Sequence, residues 1–440
     1  MMTKFKLNST QTIIGSFLLT IFIGALFLSL PISSNDNTPT DFLTCIFTST
    51  SALCVTGLVV IDTATHWSFF GQLIILVLIQ IGGLGVIVVA SIVSIFLGQK
   101  INFSQRATLQ EALSVQKVGG IVKLIKFILN VVIFFEAFGA LLLFVSFISD
   151  FDFLTAIWYS IFHSISAFCN AGFDLMGFRG HFSSMTSYQS NILVNVVIML
   201  LIISGGLGFV VWSDIINKKL NFRKYKLQSK IVLITTFCLV LFPAIYFYFF
   251  EYKKLFGTTK VLSSLFQSVT TRTAGFNSTD FSEMSEVSQA ISILLMLIGG
   301  SPGSTAGGFK TTTFVILIIS TLAVYKRYNE PHIFNKRIDI QVIKNALTVF
   351  MMYLTLFLIT GFTICIIEKS TLMEALFETA SAIGTVGLSL GFTTTLSTAS
   401  RILIIILMFL GRVGGLTFIY SIIPSMNKEP GYISEEIAIG

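Results

Sequence analysis

The stretch Leu53-Cys54-Val55-Thr56-Gly57-Leu58 lies in apolar sequence, yet it carries a hydroxyl and a glycine where a membrane helix gains from neither. Glycine in a helix interior costs about 1 kcal/mol relative to alanine. Its placement therefore asks for a reason. The same pattern closes three further apolar segments, as Cys169-Asn170-Ala171-Gly172-Phe173, Arg272-Thr273-Ala274-Gly275-Phe276 and Gly384-Thr385-Val386-Gly387-Leu388. Phe47, Phe162 and Phe377 stand ten residues before their glycine, Ser51, Ser166 and Ser381 six before, and Ala52, Ala167 and Ala382 five before. The third copy needs a one-residue shift to bring Phe266 into line. One such motif arises by chance, whereas four at the same place in four repeats mark the organisation of the chain.

Working outward, the 440 residues are 54% hydrophobic and 11% charged, against roughly a quarter charged in soluble domains. This is membrane composition. Runs of about 20 apolar residues span a bilayer, and runs of about 10 to 14 read as re-entrant pieces. Long segments read at 12–30, 68–97, 124–148, 190–212, 230–250, 289–324, 345–367 and 401–423, and short ones at 41–53, 153–168, 260–272 and 372–384. The order is long, short, long, repeated four times. The predicted fold is an all-α membrane protein of eight spans plus four re-entrant half-helices around a pseudo-fourfold pore. Its units are 1–98, 99–213, 214–327 and 328–424, followed by a carboxy-terminal tail, 425–440.

Lys and Arg total 28 against 21 Asp and Glu. They gather where one triplet joins the next: Lys100, Arg106, Lys117, Lys123 and Lys126, then Lys218 to Lys230, then Lys326, Arg327, Lys336, Arg337 and Lys344. The positive-inside rule puts these joins and both termini in the cytoplasm. Each short segment then enters and leaves from the outer side, and topology rather than nucleic acid accounts for the basic excess. The segment after Lys4 and Lys6 is too long for a signal core and reads as a retained first span. The five cysteines and four histidines are scattered without metal spacing, and no nucleophile or phosphate-loop motif occurs. The residues offer no catalytic constellation and no cofactor site.

Non-helical backbone at membrane depth is tolerated only where it is buried in protein or lines a watery cavity. Four such strips about one axis would present carbonyls that replace the water shell of a cation. Glycine reaches φ > 0 at little steric cost and lets successive carbonyls face that axis. The candidate ion-binding residues are thus Cys54, Val55, Thr56 and Gly57; Cys169, Asn170, Ala171 and Gly172; Arg272, Thr273, Ala274 and Gly275; and Gly384, Thr385, Val386 and Gly387.

A second irregularity is the run Gly299, Gly300, Ser301, Pro302, Gly303, Ser304, Thr305, Ala306, Gly307 and Gly308, in which six of ten residues are Gly or Pro. No helix continues comfortably through it. Lys310 closes this run, and Arg412 lies eleven residues into the last span. Basic groups at such depth cost about 2.5–3.5 kcal/mol and usually face a cavity or a partner, with snorkelling towards the cytoplasm the alternative for Lys310. Glu136 reads as a buried structural partner, and Glu378 as a brace behind the fourth strip or an attractor of cations. Asp62 and Asp174 follow the first two strips, as attractors at the outer mouth or as solvated loop charges. Downstream glycine pairs at Gly82-Gly83, Gly205-Gly206, Gly299-Gly300 and Gly414-Gly415 read as seats for the short helices.

On these motifs, with Gln80-Ile81-Gly82-Gly83-Leu84-Gly85, the chain resembles the Trk/Ktr/HKT superfamily of potassium transporters over almost its whole length. Within it the likeness is greatest to Ktr membrane subunits of the KtrB type. The resemblance implies that the four strips form a selectivity filter binding potassium, that a glycine in all four goes with potassium rather than sodium, and that residues 299–308 form an intramembrane gate. It gives Arg412 the role of a pore arginine that raises a barrier to cations and bonds carbonyls of the closed loop, a bonding that Lys310 shares. It further implies a bacterial cell membrane protein and a homodimer whose contact includes Gly431 to Gly440. Its regulator would be a cytoplasmic KtrA-type ring binding ATP and ADP. Potassium is the transported ion, and a sodium requirement is left open. Two other classes stand beside this reading. An alternating-access secondary cation transporter would show ionisable groups at substrate depth in several helices, and a membrane scaffold would not need four matched half-spans.

Overall fold

The structure, a computed structural model, describes residues 8–99, 102–113, 120–219, 221–328 and 330–422. Lys4, Lys6, Lys100, Lys117 and the tail at 425–440 lie outside the described residues. Each quarter of the chain has one long helix, one short helix and one helix in two pieces. In the first these are α1 (Ser9–Leu28), α2 (Phe42–Leu53), α3 (Phe69–Leu84) and α4 (Val86–Phe96). In the second they are α5 (Ile121–Phe147), α6 (Phe153–Cys169), α7 (Ile192–Gly206) and α8 (Phe209–Lys218). The third has α9 (Leu227–Tyr246), α10 (Gly257–Thr270), α11 (Glu286–Leu297) and α12 (Thr311–Tyr325), with α9 continuing as a π turn to Glu251. The fourth has α13 (Ile340–Glu368), α14 (Leu372–Gly384), α15 (Thr398–Val413) and α16 (Gly415–Ile422). Short helices at Thr63–His66 and Phe103–Ala112 and a two-stranded hairpin pairing His332–Ile333 with Lys336–Arg337 fill connections.

The short helices start where their sequence supplies a cap. Asp41, Asp152 and Thr371 accept from the backbone N–H groups of Thr44, Thr155 and Glu374, which satisfies donors that the first helical turn leaves free. Helix α10 has no side-chain cap and begins instead at Gly257, with φ 60°. Phe47, Phe162, Phe266 and Phe377, the residues that align the repeats, are each fully buried and belong to the three main apolar clusters. The long helices turn the opposite way. Phe22, Phe134, Phe138, Phe237, Phe242 and Ile359 are all exposed, which is the surface a lipid environment requires.

Among the described residues, four helices, Ser9–Leu28, Ile121–Phe147, Leu227–Glu251 and Ile340–Glu368, are long and apolar enough to cross a membrane. The second long segment of each repeat is not one helix, which corrects the continuous runs read at 68–97, 190–212 and 401–423 and agrees with the interruption read within 289–324. Helices α3 and α4 meet at 96°, and α7 and α8 at 97°. The breaks fall at Gly85, Gly208 and Gly414, with φ/ψ of 90°/130°, 91°/143° and 89°/136°. A side chain is excluded from that region, so the bend is written by glycine. In the third repeat the whole segment from Ile298 to Lys310 replaces the single glycine.

Three residues before each bend, Gly82, Gly205 and Gly411 lie against the carbonyls of Leu53, Phe168 and Ile383, where a Cβ would collide with the oxygen. Each of those carbonyls stands four residues before its strip glycine. The fourth seat is therefore Gly411 and not the Gly414-Gly415 pair, because Gly414 is spent on the bend.

Candidate functional site

The four strips form one closed ring. A Cβ on Gly57 would strike the carbonyl of Ala171, on Gly172 that of Ala274, on Gly275 that of Val386, and on Gly387 that of Thr56. Each glycine backs onto the residue before the next repeat's glycine, in chain order, and the fourth returns to the first. Their φ angles are 90°, 69°, 81° and 91°. Two residues earlier Val55, Asn170, Thr273 and Thr385 also have positive φ, at 58°, 60°, 65° and 51°. Four unlike sequences thus take one backbone course.

Hydroxyls hold that course from behind. Ser51 and Ser381 accept from the N–H of Gly57 and Gly387 at 3.1 and 3.0 Å, while Ser166 and Thr270 donate to the carbonyls of Phe173 and Phe276 at 2.7 and 2.6 Å. Thr270 is the third repeat's counterpart of the aligned serines. There the strip returns to its helix from Ala274 N to Thr270 O, a four-residue step, where Thr56, Ala171 and Val386 return over five to Ser51, Ser166 and Ser381. This shortening is the one-residue shift seen in the sequence.

Among the described residues, no backbone N–H donates to the carbonyls of Val55, Thr56, Gly57, Asn170, Ala171, Gly172, Thr273, Ala274, Gly275, Thr385, Val386 or Gly387. Cys54 and Cys169 end their helices fully buried, and the buried side chain of Arg272 has one hydrogen bond among the described residues, to Thr236 Oγ1 at 3.4 Å. Arg272 thus points away from the ring as a support. On one side of the ring a cavity of about 1130 Å³ is lined by all four glycines. Its charged lining comprises Asp62, Asp174, Glu251, Asp280 and Glu283, with Lys253 and Lys254. Asp62 is neither a free attractor nor a solvated charge: it caps Thr63–His66 through Ala64 and Thr65 and accepts from Phe182 N at 2.9 Å. Glu378 is fully buried and holds Ser389 and Thr393 beyond the fourth strip, so it braces. Glu136 accepts from Gln80 at 3.3 Å, as a structural partner.

On the other side stands the glycine-rich loop. Its ends pair, with Gly299 N on Phe309 O at 2.8 Å and Thr311 N on Gly300 O at 3.1 Å. Its middle is stitched to the bend of the second repeat, where Ser301 N reaches Gly206 O at 3.1 Å, Thr305 N reaches Gly205 O at 3.3 Å and Phe209 N reaches Gly303 O at 2.9 Å. Gly307 abuts Thr385 and Gly308 abuts Gly384, both of the fourth strip. Pro302, Gly303, Ser304, Ala306, Gly308 and Lys310 line a second cavity of about 360 Å³, so the loop stands between the ring and that space. Lys310 Nζ donates to Ala306 O at 2.8 Å and Gly307 O at 3.2 Å. Arg412 donates through Nη1 to Thr305 O and through Nη2 to Gly82 O. The bend glycine Gly208 and the seat Gly411 were not singled out by sequence, and Gly85 stood in a quoted motif without being read as a bend. Their signal was the spacing of three residues between seat and bend.

The cation transport protein family TrkH matches residues 4–429. The potassium/sodium uptake protein NtpJ of Enterococcus hirae is 38% identical over 447 residues, covering 99% of this chain and 98% of that protein. The Ktr system potassium uptake protein B of Bacillus subtilis is 38% identical over 441 residues, covering 99% and 97%. The crystal structure of the potassium transporter TrkH from Vibrio parahaemolyticus superposes with a TM-score of 0.77 at 17% identity, covering 97% of this chain and 87% of that one. That likeness establishes the fold. The family and these relatives are transporters rather than enzymes. The chain is a multi-pass membrane protein and belongs to the TrkH family of cation transport proteins.

Proposed function

We propose that this chain is the ion-translocating membrane subunit of a potassium uptake system, passing K⁺ through the four-strip ring and gated by the loop at 299–308. The observation that carries it is the set of strip carbonyls, in residues buried apart from the half-buried Gly387, that no backbone N–H satisfies among the described residues. Buried carbonyls are ordinarily paired, and a ring of them is a ligand shell for a dehydrated cation. Potassium is the ion named for the relatives from Enterococcus hirae and Bacillus subtilis, and sodium also appears in the first of these names. A sodium requirement is therefore part of what the test reads.

Residues 54–57, 169–172, 272–275 and 384–387 are the filter in this reading, and Gly299 to Gly308, Lys310 and Arg412 are the gate. Arg412 and Lys310 fix the loop shut by bonding its carbonyls, and their charge opposes cation entry from the second cavity. The joins rich in Lys and Arg face the cytoplasm. There a KtrA-type ring binding ATP or ADP docks and moves the loop, and the chain works as a homodimer in the bacterial cell membrane. The name of the Bacillus subtilis relative, a protein of a Ktr system, supports a multi-component assembly.

The experiment is potassium and sodium uptake in a strain lacking its own potassium uptake, comparing the intact chain with Gly57→Ser. Growth at low potassium with the intact chain, and sodium entry with the substitution, is the expected result. Failure of the intact chain to move potassium with a regulatory partner supplied would end the pore reading.

A further inference from the structure

One position in the short helices carries a polar side chain that neither the ring nor the loop uses. It lies nine residues before the strip glycine, as Thr48, His163 and Glu378, and eight before in the shortened third repeat, as Gln267. In three repeats its side chain crosses behind the strip to the segment that leaves it. Gln267 donates to Thr279 O at 3.1 Å, Glu378 accepts from Ser389 Oγ at 2.8 Å, and His163 Nε2 accepts from Leu175 N at 3.1 Å. Leu175 is three residues beyond Gly172.

The bonds of His163 fix its state. Nε2 receives a backbone N–H and so carries no proton. Nδ1 lies 2.6 Å from Tyr159 O, an acceptor, and must carry one. The ring is the neutral Nδ1–H tautomer. A second proton would set Nε2–H against Leu175 N–H and end the bond. Gln267 has no such limit, and the carboxyl of Glu378 can donate to a hydroxyl when protonated.

The imidazole is fully buried among Phe147 of α5, Tyr159 and Phe162 of its own helix and Phe276 of the third strip. Tyr159 is the titratable group among these rings. Asp174, beside Leu175, is the neighbouring acid of the segment, and its carboxylate accepts from Met176 N at 3.0 Å.

We propose that His163 is a positioning residue of the second strip, holding the exit at Leu175 in register as the neutral imidazole and thereby setting potassium over sodium discrimination. This rests on the filter reading above. Asp174, which lines the vestibule, attracts both cations alike and so bears on flux and not on the ratio. The His163 brace moves the ratio.

The test is the K⁺/Na⁺ uptake ratio of purified protein in liposomes between about pH 8 and about pH 4, in an Asp174→Asn background. The expected result is an acid-induced fall that approaches about fivefold, the equivalent of one net hydrogen bond, only as the imidazole becomes fully protonated, and which His163→Gln abolishes because an amide oxygen accepts from Leu175 at every pH. In the unmodified protein, hydrogen exchange of residues 172–176, corrected for the chemical rate, should lose protection over the same range. A ratio in His163→Gln that tracks the parent, or protection that does not change with pH, overturns the inference. If Gly57→Ser alters discrimination while His163→Gln tracks the parent, the filter reading stands and the brace alone fails. If Gly57→Ser leaves discrimination unchanged as well, both fall.

Discussion

The guanidinium of Arg412 joins Thr305 O of the glycine-rich loop to Gly82 O of the first repeat, and also lies 3.4 Å from Gly83 O. Arg412 follows Gly411 as Gly83 follows Gly82 and Gly206 follows Gly205, so the fourth repeat has an arginine where two others have glycine. Bonds from a charged donor contribute about 1.5–3 kcal/mol each. Arg412→Gln should therefore free the loop and raise rubidium flux into liposomes about tenfold. A variant that elutes as folded protein with parental flux would remove Arg412 from the closing device.

Gly307 touches the fourth strip at Thr385, whose hydroxyl is buried without a partner among the described residues. A methyl at 307 would also meet Thr385 Cβ and Cγ2, each at 2.9 Å. Overpacking of this kind costs about 1–3 kcal/mol, here charged to the position that puts the loop under the ring. Gly307→Ala is expected to raise basal flux roughly fivefold, and adding Thr385→Gly, which removes every side-chain atom the methyl would meet, should bring it back. Deletion of Gly303 to Gly307 should raise flux further and weaken dependence on a regulatory partner. Equal flux in all four proteins would separate the loop from gating.

How much of this was legible in the sequence follows from which interactions are local. The short helices were readable because each is a short apolar run that a glycine strip ends, all within one stretch of chain. The bends were hidden because Gly85 and Gly208 lie inside apolar runs that fit a straight span equally well. Arg412 was visible as a charge at depth. Its partners, 107 and 330 residues away, were not. His163 looked like one of four scattered histidines until the fold brought Leu175 N against it.

The seat glycines separate tight packing from conformational need. Gly205 is helical, yet a Cβ there meets the carbonyl of Phe168, while Gly15 in α1 has nothing within 4 Å of that position. Gly15→Ala should raise the melting temperature in detergent, since alanine gains up to about 1 kcal/mol in a helix. Gly205→Ala should lower it by the equivalent of about 1–3 kcal/mol, because backbone cannot swing aside as a side chain can. Fluorescence-detected gel filtration after heating reads both. Equal shifts would mean that α7 is free to move off the half-helix.

The loop between α5 and α6 offers a pH test away from the spans. Asp150 accepts from Tyr188 Oη at 2.6 Å and pairs with Arg179 at 2.8 Å, and these partners, Tyr188 foremost, hold its carboxyl below the usual carboxylate range. A carboxylate with a depressed folded pKa contributes stability above its unfolded pKa of about 3.9, and that contribution is lost as pH falls through the folded value. Tyr188→Phe removes the largest cause, so the folded pKa rises towards the unfolded one. The stability that the parent loses in acid is then already missing at neutral pH, a deficit of about 1 kcal/mol or less for a partly exposed pair. Melting temperatures of the parent and Tyr188→Phe should thus differ at about pH 7 and converge once the pH has fallen through the folded pKa of the parent's Asp150, below the usual carboxylate range. A gap that stays constant down the titration would assign the effect of the substitution to lost packing of the phenol rather than to the Asp150 charge.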